Sequence, residues 1–193
     1  MYAETREFSA STLPTRKHAR HIDLERYVPA YLTWTANKLS RGASHFYLKH
    51  FGVGIEVWRC LVLLAVDGAC SANKVSRVIG MDKASVSRCF KSMQQDDLIR
   101  IELDQSDGRA RIAVLTDKGR ALHDDIRDVA LERERALLEV LSKEETSSLL
   151  SLLQRVHENL PAVEIATQKF IAARDARAAK GSATAGQRGG IHG

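Results

Sequence analysis

Features that define several large classes of protein are scarce in this sequence. Its 193 residues hold only three cysteines, an odd number with no CxxC pair. That count gives no disulfide framework and no zinc-ligand spacing, and it favours a reducing cytoplasm of the bacterial type. No apolar run approaches the roughly 18 residues of a membrane span, and no signal peptide is recognisable. We therefore expect a cytoplasmic protein without a membrane partner.

Motifs of catalysis are missing as well. The chain contains no G-x-S-x-G, no H-E-x-x-H and no glycine-rich phosphate loop, and its seven histidines are scattered. A nucleophile, a base and an orienting group are not recognisable as a set. The sequence therefore predicts no catalytic residue, no cofactor and no metal site, and hence no enzyme.

The charge of the chain is mildly basic but evenly spread. A net charge of +5 suits a polyanionic partner such as nucleic acid. In residues 82–111, however, six Lys and Arg residues balance six Asp and Glu residues. Affinity for a polyanion would therefore depend on where the cations stand, with the carboxylates turned away.

The informative stretch is residues 71–116, which reads as helix, turn at Gly80, helix and hairpin. Asp82 stands where an N-cap belongs. Val86, Phe90 and Met93 recur at i, i+4 and i+7 and predict one buried stripe. The opposite side of this second helix carries cations and small hydroxyl groups, which leave it free to enter a major groove of double-stranded DNA. These residues are Lys83, Ser85, Ser87, Arg88 and Lys91.

The helix before it is predicted to bury Val75 and Val78. Near its start lie Ser71, Asn73 and Lys74, which are suited to hold a phosphate together with the backbone N–H groups. An ordinary helical hairpin with a solvated polar face would explain the two helices equally well.

The hairpin that follows favours DNA binding over that alternative. Apolar and charged residues alternate in residues 99–103, which predicts a strand, and residues 104–108 have the composition of a turn. Arg109 then lies near the tip, where it is placed to enter a narrow minor groove, and Arg111 opens the return strand. Asp107 either orients Arg109 or simply forms the turn.

Together these features resemble the MarR family of winged-helix transcription regulators over residues 24–161. The matching pieces are Gly80-Met81-Asp82-Lys83, Val86-Ser87-Arg88, Asp96-Asp97-Leu98-Ile99, Asp104 with Asp107 and Arg109, and Leu115-Thr116 with Gly119. The chain departs from the family at Asp96 and Asp97, where a basic residue and Gly are usual. That departure concerns the geometry of the turn and not the fold.

The resemblance implies a mainly α fold with a small β-wing. The winged helix-turn-helix would span about residues 55–116, between dimerisation helices at about 24–50 and 117–160. Thr116 and a capping box at Ser142 and Glu145 mark helix starts, and the last helix is predicted to stop before Pro161. Residues 1–21 are expected to form a mobile arm. Residues 162–193 would form a tail that is helical as far as Arg177 and disordered beyond it.

A homodimer is expected because one recognition helix covers only one short half-site. The resemblance also implies a small-molecule pocket between the dimer helices and the winged domain. A cation, an imidazole and a hydroxyl beside a Trp would suit an aromatic carboxylate or its CoA thioester, although both Trp residues also suit a core. Residues 24–30 and 36–40 resemble regulators of aromatic-acid catabolism. The candidate effector residues are Tyr31, Trp34, Arg41, Ser44, His45, Tyr47, Trp58 and Arg59.

The predicted function is a homodimeric repressor that a ligand releases from a palindromic operator. Two alternatives remain open at this point. In a redox-responsive regulator, Arg88 would lower the pKa of the Cys89 thiol, while Cys60 would be buried and inert. In the other alternative, the winged helix would bind proteins without reading DNA.

Overall fold

Capping residues and glycines set the boundaries of the elements. The computed structural model describes residues 21–104, 108 and 110–187, with side chains described as far as residue 179. Within these residues the chain is mainly α with one small antiparallel sheet, which confirms the predicted fold class. In chain order the elements are α1 Val28–Phe51, α2 Ile55–Asp67, α3 Ala72–Ile79, α4 Lys83–Gln95, β1 Ile99–Leu103, β2 Arg111–Leu115, α5 Asp117–Leu138, α6 Lys143–Glu158 and α7 Leu160–Gln187.

The chain divides after Ala130 into two compact units. The first contains α1 to α4, the sheet and the larger part of α5. The second contains the end of α5 together with α6 and α7. No helix among the described residues is long and apolar enough to cross a bilayer. Except for its last residue, the arm predicted for residues 1–21 lies outside the described part of the chain.

The core of the first unit is built around α4. The predicted stripe of Val86, Phe90 and Met93 is buried, which confirms that side of the helix. Val75 of α3 is buried as well, but the burial predicted for Val78 is wrong, since that side chain is 48% exposed. Ile79 packs against the core instead. It lies one turn beyond Val75, on the same side of α3, whereas Val78 lies at the edge of that narrow stripe.

The turn between α3 and α4 has the predicted geometry. Gly80 takes the left-handed conformation with φ +69°, which glycine adopts without steric cost. Ser76 Oγ donates to the carbonyl oxygen of Met81 at 2.6 Å and closes the turn from the side. Asp82 then caps α4, because its Oδ1 accepts the backbone N–H of Ser85 at 2.9 Å. These contacts fix the direction in which α4 leaves the turn.

The hairpin forms in the predicted place, with Ile99 opposite Leu115 and Leu103 opposite Arg111. A further pair of backbone hydrogen bonds ties the segment before α3 to β2. The N–H of Cys70 donates to the carbonyl of Ala113 at 3.1 Å, and the N–H of Ala113 donates back at 2.8 Å. The hairpin is therefore anchored to the helical part of the unit.

The turn between α4 and β1 carries the departure from the family pattern. Asp97 has φ +58°, so it takes the left-handed conformation that a glycine would supply. Three hydrogen bonds hold it there. Asp97 N–H donates to the carbonyl of Gln94 at 3.1 Å, Leu98 N–H donates to the carbonyl of Met93 at 2.8 Å, and Thr116 Oγ1 donates to the carbonyl of Asp97 at 2.7 Å. The turn geometry is thus kept, with an aspartate in a backbone conformation that costs energy for most side chains.

We expect Asp97→Gly to raise the free energy of unfolding by about 0.5–1 kcal/mol, because glycine removes the strain at this φ. The hydrogen bonds of the turn are made by backbone atoms and by the Thr116 hydroxyl, so they survive the change of side chain. The measurement is chemical denaturation at fixed protein concentration. Asp96→Gly is the matched control, since Asp96 has φ −85° and offers no strain to relieve. An equal gain in both variants would contradict the strain at Asp97.

In the second unit, α6 begins with the predicted capping box. The N–H of Glu145 donates to Ser142 Oγ at 3.1 Å, and the N–H of Ser142 donates to Glu145 Oε2 at 2.8 Å. The helix ends at Glu158, before Pro161, and Pro161 then lies in the first turn of α7. The helix predicted to end near Arg177 continues to Gln187. Seven alanines in residues 172–185 favour this continuation.

Candidate nucleic-acid interface

The outer face of α4 presents the side chains that the sequence assigned to DNA. Lys83, Ser87, Arg88 and Lys91 are exposed, and Ser85 is half-buried. The opposite face holds the buried stripe, so the helix cannot turn these groups away without losing its packing. The helix therefore holds cations and hydroxyl groups in a constant position, where they can contact base edges in a major groove.

Arg88 is held in place by a short network along α4. The carboxylate of Asp82 accepts the N–H of Ser85 at 2.9 Å and its hydroxyl at 2.6 Å. Ser85 Oγ in turn accepts a hydrogen bond from Arg88 Nη2 at 2.8 Å. This network is not among the predicted contacts, although the spacing i, i+3, i+6 on one helix would have indicated it. The helix cap and the principal cation of the face are therefore coupled.

The same network lowers the pKa of the Asp82 carboxyl. The hydrogen bond from the Ser85 hydroxyl is the largest cause, followed by the one from the Ser85 backbone. Because the folded pKa lies below the ordinary value, the stability that this cap contributes is present above the ordinary pKa. It is lost as pH falls through the folded pKa.

We expect Ser85→Ala to raise the pKa of Asp82 towards its ordinary value, because the strongest hydrogen bond to the carboxylate is removed while the backbone bond remains. The cap should then be lost at a higher pH than in the parent chain. An NMR titration of the Asp82 carboxyl measures this directly. Ser87→Ala is the control on the same helix and should leave the titration unchanged. An unshifted Asp82 in Ser85→Ala would contradict the network.

The three residues predicted near the start of α3 are placed differently from one another. Ser71 caps the helix, since its Oγ accepts the N–H of Lys74 at 3.2 Å. The Nζ of Lys74 forms an ion pair of 3.0 Å with Asp67, which raises the pKa of the lysine. Asn73 is exposed. A phosphate that reaches Lys74 must therefore compete with the carboxylate of Asp67, whereas the side chain of Asn73 is accessible.

The wing contributes one described residue to the predicted contacts. Arg111 is exposed at the start of β2, opposite the last residue of β1. Asp107 and Arg109 lie outside the described residues. On the neighbouring strand, Arg100 forms an ion pair with Glu102 and also donates to the carbonyl oxygen of Leu115 at 3.4 Å. The guanidinium of Arg100 is thus engaged in contacts within the sheet.

Known proteins of this architecture are similar to the chain in sequence as well as in fold. Residues 51–110 match the model of the MarR family. A MarR/EmrR family transcriptional regulator from Acinetobacter sp. ADP1, solved as a crystal structure, is 33% identical with a TM-score of 0.68. The match covers 72% of this chain and 99% of that one. The chain belongs to the MarR family.

Two further comparisons extend this result. The HTH-type transcriptional regulator BilQ of Clostridioides difficile is 29% identical over 117 residues, which are 61% of this chain and 79% of that one. CouR from Rhodococcus jostii RHA1, solved bound to p-coumaroyl-CoA, has a TM-score of 0.63 over 69% of this chain and 93% of that one. At 20% identity the second match shows a shared fold alone. The MarR-family chain is accordingly a DNA-binding transcriptional regulator.

The predicted effector residues of this MarR-family regulator fall into two groups. Tyr31 and Trp34 lie in the first half of α1, both exposed, with ring centroids 6.2 Å apart. The second group lies near the other end of α1 and on α2. A helical rise of about 1.5 Å per residue puts Tyr31 about 24 Å from Tyr47, whereas Trp34 and Arg41 lie about 10 Å apart along the helix axis. The second group is Arg41, Ser44, His45, Tyr47, Trp58 and Arg59.

Within the second group, Trp58 makes two ring contacts. Tyr47 meets it edge to face at 5.8 Å, and His123 of α5 stacks on it at 5.5 Å. Tyr47 is only 2% exposed, so it packs in the core and offers no surface to a ligand. Arg59 donates to Ser40 Oγ of α1 at 2.8 Å. His123 was not predicted, because 65 residues separate it from Trp58 and no local pattern connects them.

A cavity of about 440 Å³ lies where the end of α1 meets the start of α5 in this MarR-family chain. The eight predicted effector residues do not line it. Its one cation is Lys118, whose Nζ donates to the carbonyl oxygen of Asp96 at 2.7 Å. Lining residues are Phe51, Gly52, Val53, Asp96, Leu98, Lys118, Ala121, Leu122 and Asp125.

For the redox alternative, the structure changes the group that lowers the pKa of the Cys89 thiol. Cys60 is fully buried, as predicted, but Cys89 is only 8% exposed and its nearest polar partner is Cys60, with the two Sγ atoms 3.7 Å apart. That hydrogen bond is the main cause that lowers the pKa of the Cys89 thiol, while the same bond and burial raise the pKa of Cys60. The assignment of this role to Arg88 is wrong, because its guanidinium bonds to Ser85 instead.

Proposed function

We propose that this MarR-family regulator is a homodimeric repressor that binds a palindromic operator and is released by an aromatic acid or its CoA thioester. One observation carries the proposal: the exposed face of α4, on which Asp82 and Ser85 hold Arg88 in a fixed position. A side chain that is already ordered loses less entropy when it meets a base edge. Two such helices, one from each protomer, would occupy successive major grooves.

Dimer formation is supported by the apolar surface of the terminal helices. α1 buries only three of its 24 residues, and α6 buries none of its 16. In proteins most of the stability of a helix comes from packing of its apolar face rather than from its intrinsic propensity. Exposed large apolar side chains on α6 are Leu149, Leu150, Leu152, Leu153 and Val156. A surface of this kind marks an interaction site, and a second copy of the chain is the partner that a two-fold operator requires.

We expect Leu153→Glu to convert the dimer to monomer at micromolar concentration, because it places a charge within the leucine stripe of α6. Sedimentation velocity measures the change. Ser151→Glu is the matched control, since at about 100° per residue Ser151 lies on the side of α6 opposite that stripe. Dimers that persist in Leu153→Glu, or monomers in both variants, would place the dimer surface elsewhere.

Operator binding is tested by fluorescence anisotropy on the DNA upstream of the protein's own gene and its divergent neighbour, with salt held fixed. A repressor should bind a palindrome in this DNA far more tightly than random DNA of the same length. A folded dimer that binds both equally would favour the protein-interaction alternative.

The effector is proposed from the chemistry of the second group of residues. Arg41 and His45 are exposed one turn apart on α1, with the half-buried Ser44 beside them, and together they suit a carboxylate or phosphate. CouR shows that a protein of this fold can hold p-coumaroyl-CoA. A bound ligand would favour another spacing of the two reading helices and so lower operator affinity. Isothermal titration with p-coumaroyl-CoA and with free p-coumarate decides this point. No heat from either would reject both effectors.

A further inference from the structure

In the core of the first unit, the sulfur of Cys89 contacts two other sulfur atoms. Cys60 of α2 lies 3.7 Å from Cys89 of α4, measured between their Sγ atoms. Cys89 Sγ lies 3.8 Å from the Sδ of Met93, one turn further along α4. Cys60 and Met93 are fully buried and Cys89 nearly so. The sulfur contacts therefore link the buried face of α4 to α2, on the side opposite the proposed DNA-binding face.

The spacing of these sulfurs fits a shared metal ion. A metal–thiolate bond is about 2.3 Å long, so two sulfurs that bind one ion lie about 3.8 to 4.6 Å apart, depending on the angle at the ion. The measured separations of 3.7 and 3.8 Å lie within 0.1 Å of the lower end of that range. A disulfide needs the two sulfurs at about 2.05 Å, well below the 3.7 Å between the two cysteine Sγ atoms.

We propose that Cys60, Cys89 and Met93 form a binding site for a soft monovalent metal ion, Cu(I). Thiolate and thioether ligands select Cu(I) over the hard cations. Zn²⁺ is a poorer match, since structural zinc takes four ligands and this cluster provides three. Within the described residues no group of three His, Cys, Asp or Glu forms a site of the harder kind.

The charge of the cluster also favours a monovalent ion. On binding, the S–H bond of one thiol breaks, a Cu–S bond forms and the proton leaves to solvent, while the other two sulfurs donate lone pairs. Copper stays in its +1 state throughout, so neither an oxidant nor a reductant is needed. One thiolate and one Cu(I) together are neutral, which avoids a buried net charge.

The test is an anaerobic titration of the full chain with Cu(I), in competition with a chromophoric Cu(I) chelator. We expect one ion per chain to be bound in the parent. Cys60→Ser, Cys89→Ser and Met93→Leu should each weaken the affinity at least tenfold. Cys70→Ser is the control, because Cys70 is also buried but its backbone pairs with Ala113, and it belongs to no sulfur cluster in the described residues. Met93→Leu conserves volume, so it keeps the test informative if a cysteine variant does not fold.

Two further readouts separate this site from other outcomes. X-ray absorption at the copper edge should show sulfur ligands only, and loading should raise the thermal midpoint of the parent but not of Cys89→Ser. No binding by the parent, or a loss of binding confined to Cys70→Ser, would overturn the proposal.

Discussion

Gly119→Ala is expected to lower the free energy of unfolding by about 3 kcal/mol or more, an effect at the upper end of overpacking in a core. A Cβ built on Gly119 would stand 2.0 Å from the carbonyl oxygen of Leu98 and 2.9 Å from its carbonyl carbon. Both are backbone atoms, so no side chain can rotate away to make room. Either the first turn of α5 or the start of β1 has to shift.

Such a shift would disturb a set of contacts that is already saturated. The N–H of Gly119 donates to Thr116 Oγ1 at 3.0 Å, and the N–H of Thr116 donates to the carbonyl oxygen of Leu98 at 3.1 Å. Leu98 itself is buried in the core beside Ile99. Separating α5 from β1 would therefore break hydrogen bonds and open apolar packing at the same point.

Denaturant unfolding at one fixed protein concentration measures the effect, since dimer formation would make stability depend on concentration. Gly108→Ala is the matched control, because a Cβ there meets no atom within 4 Å. In an unstrained helix, replacing glycine by alanine raises the free energy of unfolding by about 0.5–1 kcal/mol. An unchanged free energy of unfolding in Gly119→Ala would therefore already indicate some strain. A clear gain in stability would contradict the close approach of α5 to Leu98.

Short-range patterns account for what could be predicted from the sequence. The cap at Asp82, the capping box at Ser142 and the stripe of Val86, Phe90 and Met93 each involve residues within two helical turns of one another. Their chemistry is local, so the linear sequence contains all of it. Gly119 was singled out differently, by the resemblance of Leu115-Thr116 with Gly119 to the MarR family. The reason for that glycine, a carbonyl oxygen 2.0 Å away, emerged only from the fold.

Contacts between distant segments could not be predicted. Cys60 and Cys89 lie on different helices, 29 residues apart, and nothing in either helix states which residue of the other it meets. The burial of Tyr47 has the same origin. A helix was expected at about residues 24–50, but the side of α1 that faces the core depends on where Trp58 of α2 packs. Tyr47 therefore packs in the core, although the sequence included it among the candidate effector residues.

Arg88→Ala is expected to weaken binding to the cognate operator about tenfold to a hundredfold, while binding to random DNA changes far less. A bidentate contact from arginine to a guanine edge contributes about 1–3 kcal/mol of discrimination. Arg88 is exposed on the outer face of α4 and its guanidinium is held by Ser85, with donors left over for a base. Removing it should reduce sequence preference without unfolding the helix, since the buried stripe is untouched.

Lys91→Ala provides the comparison, because Lys91 is exposed on the same helix, one turn nearer its end, and is expected to contact phosphate. Its loss should weaken binding to all sequences alike and reduce the slope of affinity against salt by about one unit. Anisotropy titrations on operator and random DNA at several salt concentrations separate the two effects. If Arg88→Ala behaves as Lys91→Ala does, Arg88 binds phosphate, and base readout must come from Lys83, Ser85, Ser87 or the wing. Ser85→Ala then tests the positioning of Arg88 together with the predicted contact of Ser85, because it releases the guanidinium of Arg88 while leaving its charge in place.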